Sequence, residues 1–243
     1  MITVHGKKTT LAELRTIEPT TPEGAGKRWK PIQHGELADA IRAEVDGRGW
    51  RVTKELYSTA RGGADMAGAL MVDGVGGVDL GPGMGLSLGF LNSNARRKAL
   101  QITIGASVAC CTNGMCTGTI LLNRLHDHTV DLPEEIRGAL DRYTVAAGEI
   151  PDVVRGLRER ELSPGEASEI LMETARRRLV GWATIGRVDK EYRNPTFKEH
   201  GRGTSWALLN AFTYAARRNI APTRQMETYN TFREMLPTAY PVN

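Results

Sequence analysis

Three cysteines and two histidines, Cys110, Cys111, Cys116, His126 and His128, fall close together in the chain. Zinc is commonly held in a tetrahedron by two short-spaced pairs, and Cys111-x4-Cys116 with His126-x-His128 approximates that spacing. Such a site would serve a metal-dependent hydrolase. On an extended strand, however, Cys110 and Cys111 point to opposite faces, so core or loop cysteines are the competing reading. His126-Asp127-His128 could also exchange protons near neutrality. No nucleophile accompanies it, since Ser107 lacks the nucleophile-elbow sequence, and hydrogen bonding within the fold or to nucleic acid is the other use of these rings. Asp65, Asp73 and Asp79 could hold magnesium or could simply cap turns. No cofactor is required by any of these patterns.

The cations offer a different chemistry. Arg96-Arg97-Lys98 follows Asn92-Ser93-Asn94 directly, and Arg61, Arg124 and the run Arg176-Arg177-Arg178 add to it. Guanidinium and ammonium groups neutralise phosphates without reading sequence, while amides hydrogen-bond to turns or to ligand. Aromatic residues make up 6% of the chain, which argues for backbone-directed binding over extensive base stacking. Trp29, Tyr57 and Tyr192 read as packing residues. Gly24-Ala25-Gly26-Lys27 lacks the spacing of a phosphate loop, and no helix follows the glycine-rich stretch 74–85, which reads as a connection.

Two strand patterns carry the Asn92–Lys98 turn. Met84, Leu86, Leu88 and Phe90 alternate with small residues, and Leu100, Ile102, Ile104, Ala106, Val108 and Cys110 do the same after the turn. Trp50 to Thr59 and Met66 to Val72 supply two more strands around a Gly62-Gly63 turn, and 117–122 a short further one. A helix is expected over 34–46, stopped by Gly47 to Gly49. The second half reads as helical: one helix from Asp131 with a break at Ile150-Pro151, one behind the Ser163-Pro164-Gly165-Glu166 capping box and reaching Trp182, and one over 204–219. The expectation is an α+β fold, an antiparallel β meander of four to five strands preceded by one helix and backed by C-terminal helices. Residues 1–31 read as a flexible arm, 32–220 as one domain with its sheet at 50–123 and helices at 131–219, and 221–243 as a tail.

At 243 residues, 40% hydrophobic and 25% charged, the chain is ordinary for a globular protein, with no apolar run long enough to span a bilayer and no secretory leader pattern. Three cysteines, two adjacent, make no disulfide framework, and a cytoplasmic location is expected. The net charge of +4 is unevenly spread. Residues 176–243 hold 12 basic against 5 acidic groups, and residues 131–175 hold 5 against 11. A polyanion contact on one surface and an acidic, solvated or subunit-facing helical surface would produce this asymmetry.

Five short signatures occur in order: His34-Gly35-Glu36-Leu37, Asn92-Ser93, Cys111-Thr112-Asn113-Gly114, a histidine at 126 or 128, and Trp206-x3-Asn210-x2-Thr213. Together they resemble the phage- and plasmid-associated proteins of domain of unknown function 932, over roughly residues 31–220. The resemblance implies a mobile-element origin; Asn94 and Ala95 stand where that family usually has a histidine and an aspartate. The order of helix, Gly47-Arg48-Gly49-Trp50 and β meander is also similar to single-strand annealing recombinases of the Red-beta type, which are rings holding one DNA strand, and the resemblance implies a homo-oligomer. The expected function is non-enzymatic single-stranded DNA binding and annealing in phage or plasmid recombination or replication, through Arg96, Arg97, Lys98, Asn92, Asn94, Arg61, Arg124, Arg176, Arg177 and Arg178. The alternative is an anti-defence or host-interaction protein that meets a bacterial protein through the acidic 131–175 segment.

Overall fold

The computed structural model describes residues 7–81, 84–95, 99–108, 114–115, 120–127, 130–217, 219–220 and 222–240. It is an α+β fold built on an antiparallel meander. The strands are β1 (Lys7–Thr9), β2 (Arg51–Ala60), β3 (Asp65–Asp73), β4 (Met84–Ser93), β5 (Leu100–Val108), β6 (Gly114–Met115) and β7 (Ile120–Arg124). They pair in the order β1-β2-β3-β4-β5, and both β6 and β7 pair with β5. The helices are α1 (Leu11–Thr16), α2 (His34–Gly47), α3 (Leu132–Glu159), α4 (Pro164–Arg176), α5 (Trp182–Arg193), α6 (Ser205–Ala216) and α7 (Pro222–Glu234).

Register converts the period-two pattern into a single apolar face. Tyr57, Gly68, Phe90, Ile102 and Leu122 lie in one cross-strand row, and Leu70, Leu88 and Ile104 form the next. All except Gly68 belong to the buried apolar core, joined there by Ile41 of α2, Tyr143 of α3 and Phe212 of α6. On the opposite face Ala69, Gly89 and Thr103 form the middle of one row, with Leu56 and Ile120 at its ends. Gly68 is required where it stands: a Cβ there would meet the Phe90 ring at 2.2 Å.

Four expectations change. The arm carries regular structure: β1 adds an edge strand, and α1 packs on α2 behind a Thr10–Glu13 capping box. Gln33 joins the two helices, its Oε1 accepting from Glu36 N and its Nε2 donating to the Leu14 and Arg15 carbonyls. Gly35 permits the approach, since a Cβ would lie 2.8 Å from Arg15 Cα. Two short strands, β1 and β6, thus enlarge the sheet, and two helices precede its main meander.

Pro151 does not break α3, which runs through it with Ile150, Val153 and Val154 buried on either side. The missing hydrogen bond and the steric clash cost about 3 kcal/mol in an isolated helix, and burial of those side chains offsets it. The helix begun at the Ser163 capping box ends at Arg176, and Trp182 opens a separate helix with 63% of its surface exposed. Residues 222–234 are helical rather than a tail, and Tyr229, Phe232 and Leu236 are buried, with Phe232 stacked on Phe212 at 3.8 Å. Among the described residues no helix is long and apolar enough to cross a membrane.

Candidate functional site

Antiparallel pairing gathers distant parts of the sequence at one end of the sheet. The β2–β3 turn (61–64), the end of β4 at Asn92 and Ser93, the start of β5 at Leu100 and the end of β7 at Arg124 are cross-strand neighbours there. Arg96, Arg97 and Lys98 lie outside the described residues.

Asn92 is the centre of a buried polar network. Its side chain lies on the core face, one row beyond Phe90, and is 1% exposed. Gly63 O can only accept, so the 2.7 Å contact fixes His34 with a proton on Nε2 and a lone pair on Nδ1. Asn92 Nδ2 donates to that lone pair at 2.9 Å and to Ile32 O at 2.8 Å. Its Oδ1 accepts from His126 Nε2 at 2.6 Å. One amide therefore ties α2, the chain before it and the segment after β7. Burial holds both rings neutral: it lowers the His34 pKa, and it lowers that of His126 to about 4, with His34 opposing a second charge nearby.

Asn94 does a related task with the backbone. Its Oδ1 accepts from Ile32 N at 3.0 Å and its Nδ2 donates to Ile32 O at 2.9 Å, so one side chain pairs both groups of that residue. Above this, the Trp29 ring stacks on His126 at 4.6 Å. Lys27, Arg28 and Lys30 flank that ring with exposed side chains, and Lys27 and Lys30 make no ion pair with a described residue. Docking of Trp29 thus brings the Lys27-Arg28-Trp29-Lys30 segment to the basic end of the sheet.

A second cluster shares this end. Asp65, 5% exposed, accepts from Ser93 Oγ at 2.6 Å and pairs with Arg61 Nε at 2.8 Å. Arg61 takes a left-handed φ of 56°, and Gly62 and Gly63 follow at 65° and 96°. A non-glycine residue there costs on the order of 1 kcal/mol, and the buried aspartate supplies a charged partner that holds it. The same turn aims the Gly63 carbonyl at His34.

The expected site residues divide accordingly. Asn92 and Asn94 are internal, spending their amides on His34, His126 and Ile32, so they position the site rather than face a ligand. Arg61 and Arg124 stand at this end with about half of each side chain exposed, beside Asp65 and Glu135 respectively. Arg176, Arg177 and Arg178 belong elsewhere and do not form one helical face. Arg176 is in the last turn of α4, Arg177 caps it, Arg178 has φ 54°, and Glu173 pairs with the first two.

The three aspartates do not converge on a metal. Asp65 and Asp73 lie at opposite ends of β3, about 26 Å apart at 3.3 Å per residue. Asp73 pairs with Arg51, and Asp79 accepts from Gly81 N. Cys110, Cys111, Cys116 and His128 lie outside the described residues, and among the described ones no three metal-binding groups cluster. In the acidic segment, Glu135, Asp141, Asp152, Glu166 and Glu173 each pair with an arginine of this chain.

Sequence reasoning missed the Trp29 dock. The signal available was an aromatic residue interleaved with three cations, followed by a proline that favours extended chain. No family model, no curated protein and no solved structure matches this chain.

Proposed function

We propose that the protein binds single-stranded nucleic acid without chemical turnover, at the end of the sheet where the β2–β3 turn, the Asn92–Asn94 segment and the arm meet. The observation that carries this reading is the stacking of Trp29 on His126, which anchors Lys27, Arg28 and Lys30 beside Arg61 and Arg124. Exposed cations on a rigid support gain phosphate contacts at small ordering cost. Pairing to Asp65 or Glu135 does not remove Arg61 or Arg124 from use, because a half-exposed ion pair contributes only about 0–1 kcal/mol and can exchange partners.

The core network serves the same reading as the support of that end of the sheet. Both histidines are neutral, hydrogen-bonded and buried, which suits scaffolding better than proton transfer. Annealing in phage or plasmid recombination or replication, and assembly into an oligomer, belong to this proposal and draw on the resemblance to domain of unknown function 932 proteins and annealing recombinases.

Fluorescence anisotropy with a thirty-nucleotide strand at low salt tests it. The reading expects saturable binding that weakens steeply with added salt, and absence of binding removes it.

A further inference from the structure

A cleft of about 560 Å3 opens between the last turns of α5 and α6, within the range of about 300–1,000 Å3 in which small-molecule sites fall. Arg187 and Lys190 of α5 and Arg217 at the end of α6 line it, with a single carboxylate, Glu191. That carboxylate is committed inward. Its Oε1 accepts from Thr196 N and its Oε2 from Thr196 Oγ1, both at 2.7 Å. The Lys190 ammonium has no hydrogen bond or ion pair to a described residue, and Arg187 donates one Nη2 bond to Thr184 Oγ1, keeping further N–H groups. The C-terminal ends of two helices favour cations here, which keeps three like charges gathered.

The wall opposite is an ordered aromatic stack. The Arg217 guanidinium lies 3.8 Å over the Tyr214 ring, and Tyr214 packs edge-on against Phe197 and the buried His200. Aromatic rings and guanidinium groups are both surfaces on which a base can stack. Phosphate-binding groups and a stacking surface therefore share one cleft.

We infer that this cleft binds a nucleoside monophosphate unit, its phosphate on Arg187 and Lys190 and its base against Arg217 and Tyr214. The site is separate from the sheet-end surface and does not depend on it. The source is a free nucleotide or the phosphorylated 5′ end of a strand.

Isothermal titration of the full chain with adenosine 5′-monophosphate, adenosine and inorganic phosphate tests the inference. Saturable binding of the nucleotide is expected, with adenosine and phosphate each weaker by about tenfold or more. Arg187→Ala with Lys190→Ala should weaken the nucleotide by about tenfold or more, whereas Arg155→Ala, on an exposed pair with Asp152, should leave it unchanged. If the double variant fails to fold, exposed Lys190→Met alone should still weaken binding. A ten-nucleotide strand carrying a 5′-phosphate that displaces the nucleotide, when its 5′-hydroxyl counterpart does not, identifies a strand end; displacement by neither identifies the free nucleotide. Equal displacement by both, no nucleotide binding, or equal binding by wild type and variants overturns the inference. Loss of long-strand binding with nucleotide binding intact would remove the strand-binding reading and leave this one standing.

Discussion

At the scale of residues, Asn92 carries the most consequence per atom. It gives two donors and one acceptor to three partners in a buried setting, so removing its amide leaves a histidine lone pair and a histidine N–H without partners, while Ile32 O keeps its bond from Asn94. Leaving buried groups unpaired costs about 1–3 kcal/mol each, which makes Asn92→Leu destabilising by about 3 kcal/mol or more. Urea denaturation at neutral pH measures this, and a loss below about 1 kcal/mol contradicts the network. His126 adds a pH signature. Its folded pKa of about 4 lies below the ordinary histidine value near 6.5, so the unfolded chain binds the extra proton first as pH falls. The stability it contributes is complete above pH 6.5 and is lost as pH falls toward 4, by about 2 kcal/mol between pH 7 and pH 5. His34 and His200, also lowered by burial, act with the same sign. His126→Gln keeps a donor for Asn92 but does not titrate, so its denaturation midpoint should fall less over that interval; an unchanged slope would show that His126 is not the group responsible.

At the scale of elements, the arm is an attached part of the fold with specific anchors. Trp29 stacks on His126, Ile32 is held by two asparagine side chains, and Gln33 links α1 to α2. Trp29→Ala should loosen the segment around it while leaving the sheet intact. Trypsin should then cut after Lys27 or Arg28 about tenfold faster, with little change in thermal midpoint, because such cleavage reports local opening. Cleavage at the wild-type rate would mean that the stacking holds nothing. These anchors explain what could be read in the sequence. The alternation around Phe90 and Ile102 reports one face directly, and the Ser163 and Thr204 caps mark helix starts by local chemistry. The arm was illegible because its partners, Asn92, Asn94 and His126, are about 60 to 100 residues away in the chain. Pro151 misled for the complementary reason, since tertiary burial overrides a local rule. The Arg176–Arg178 run falls within the helix expected to reach Trp182, and the left-handed turn at Arg178 instead ends it.

At the scale of the whole molecule, the meander places loops from four parts of the chain at one end, where Arg61 and Arg124 stand and the Trp29 stack adds Lys27, Arg28 and Lys30, while five acids of α3 and α4 pair with arginines of the chain. The net charge of +4 therefore understates how basic that end is. The most direct test compares the salt dependence of thirty-nucleotide strand binding for wild type and for Lys27→Ala/Arg28→Ala/Lys30→Ala. Each phosphate contact on a single strand contributes about 0.7 to the slope of log affinity against log salt, so the triple variant should bind more weakly with a slope smaller by about 2. Identical slopes for the two proteins, or no binding by the wild type at low salt, would contradict the account.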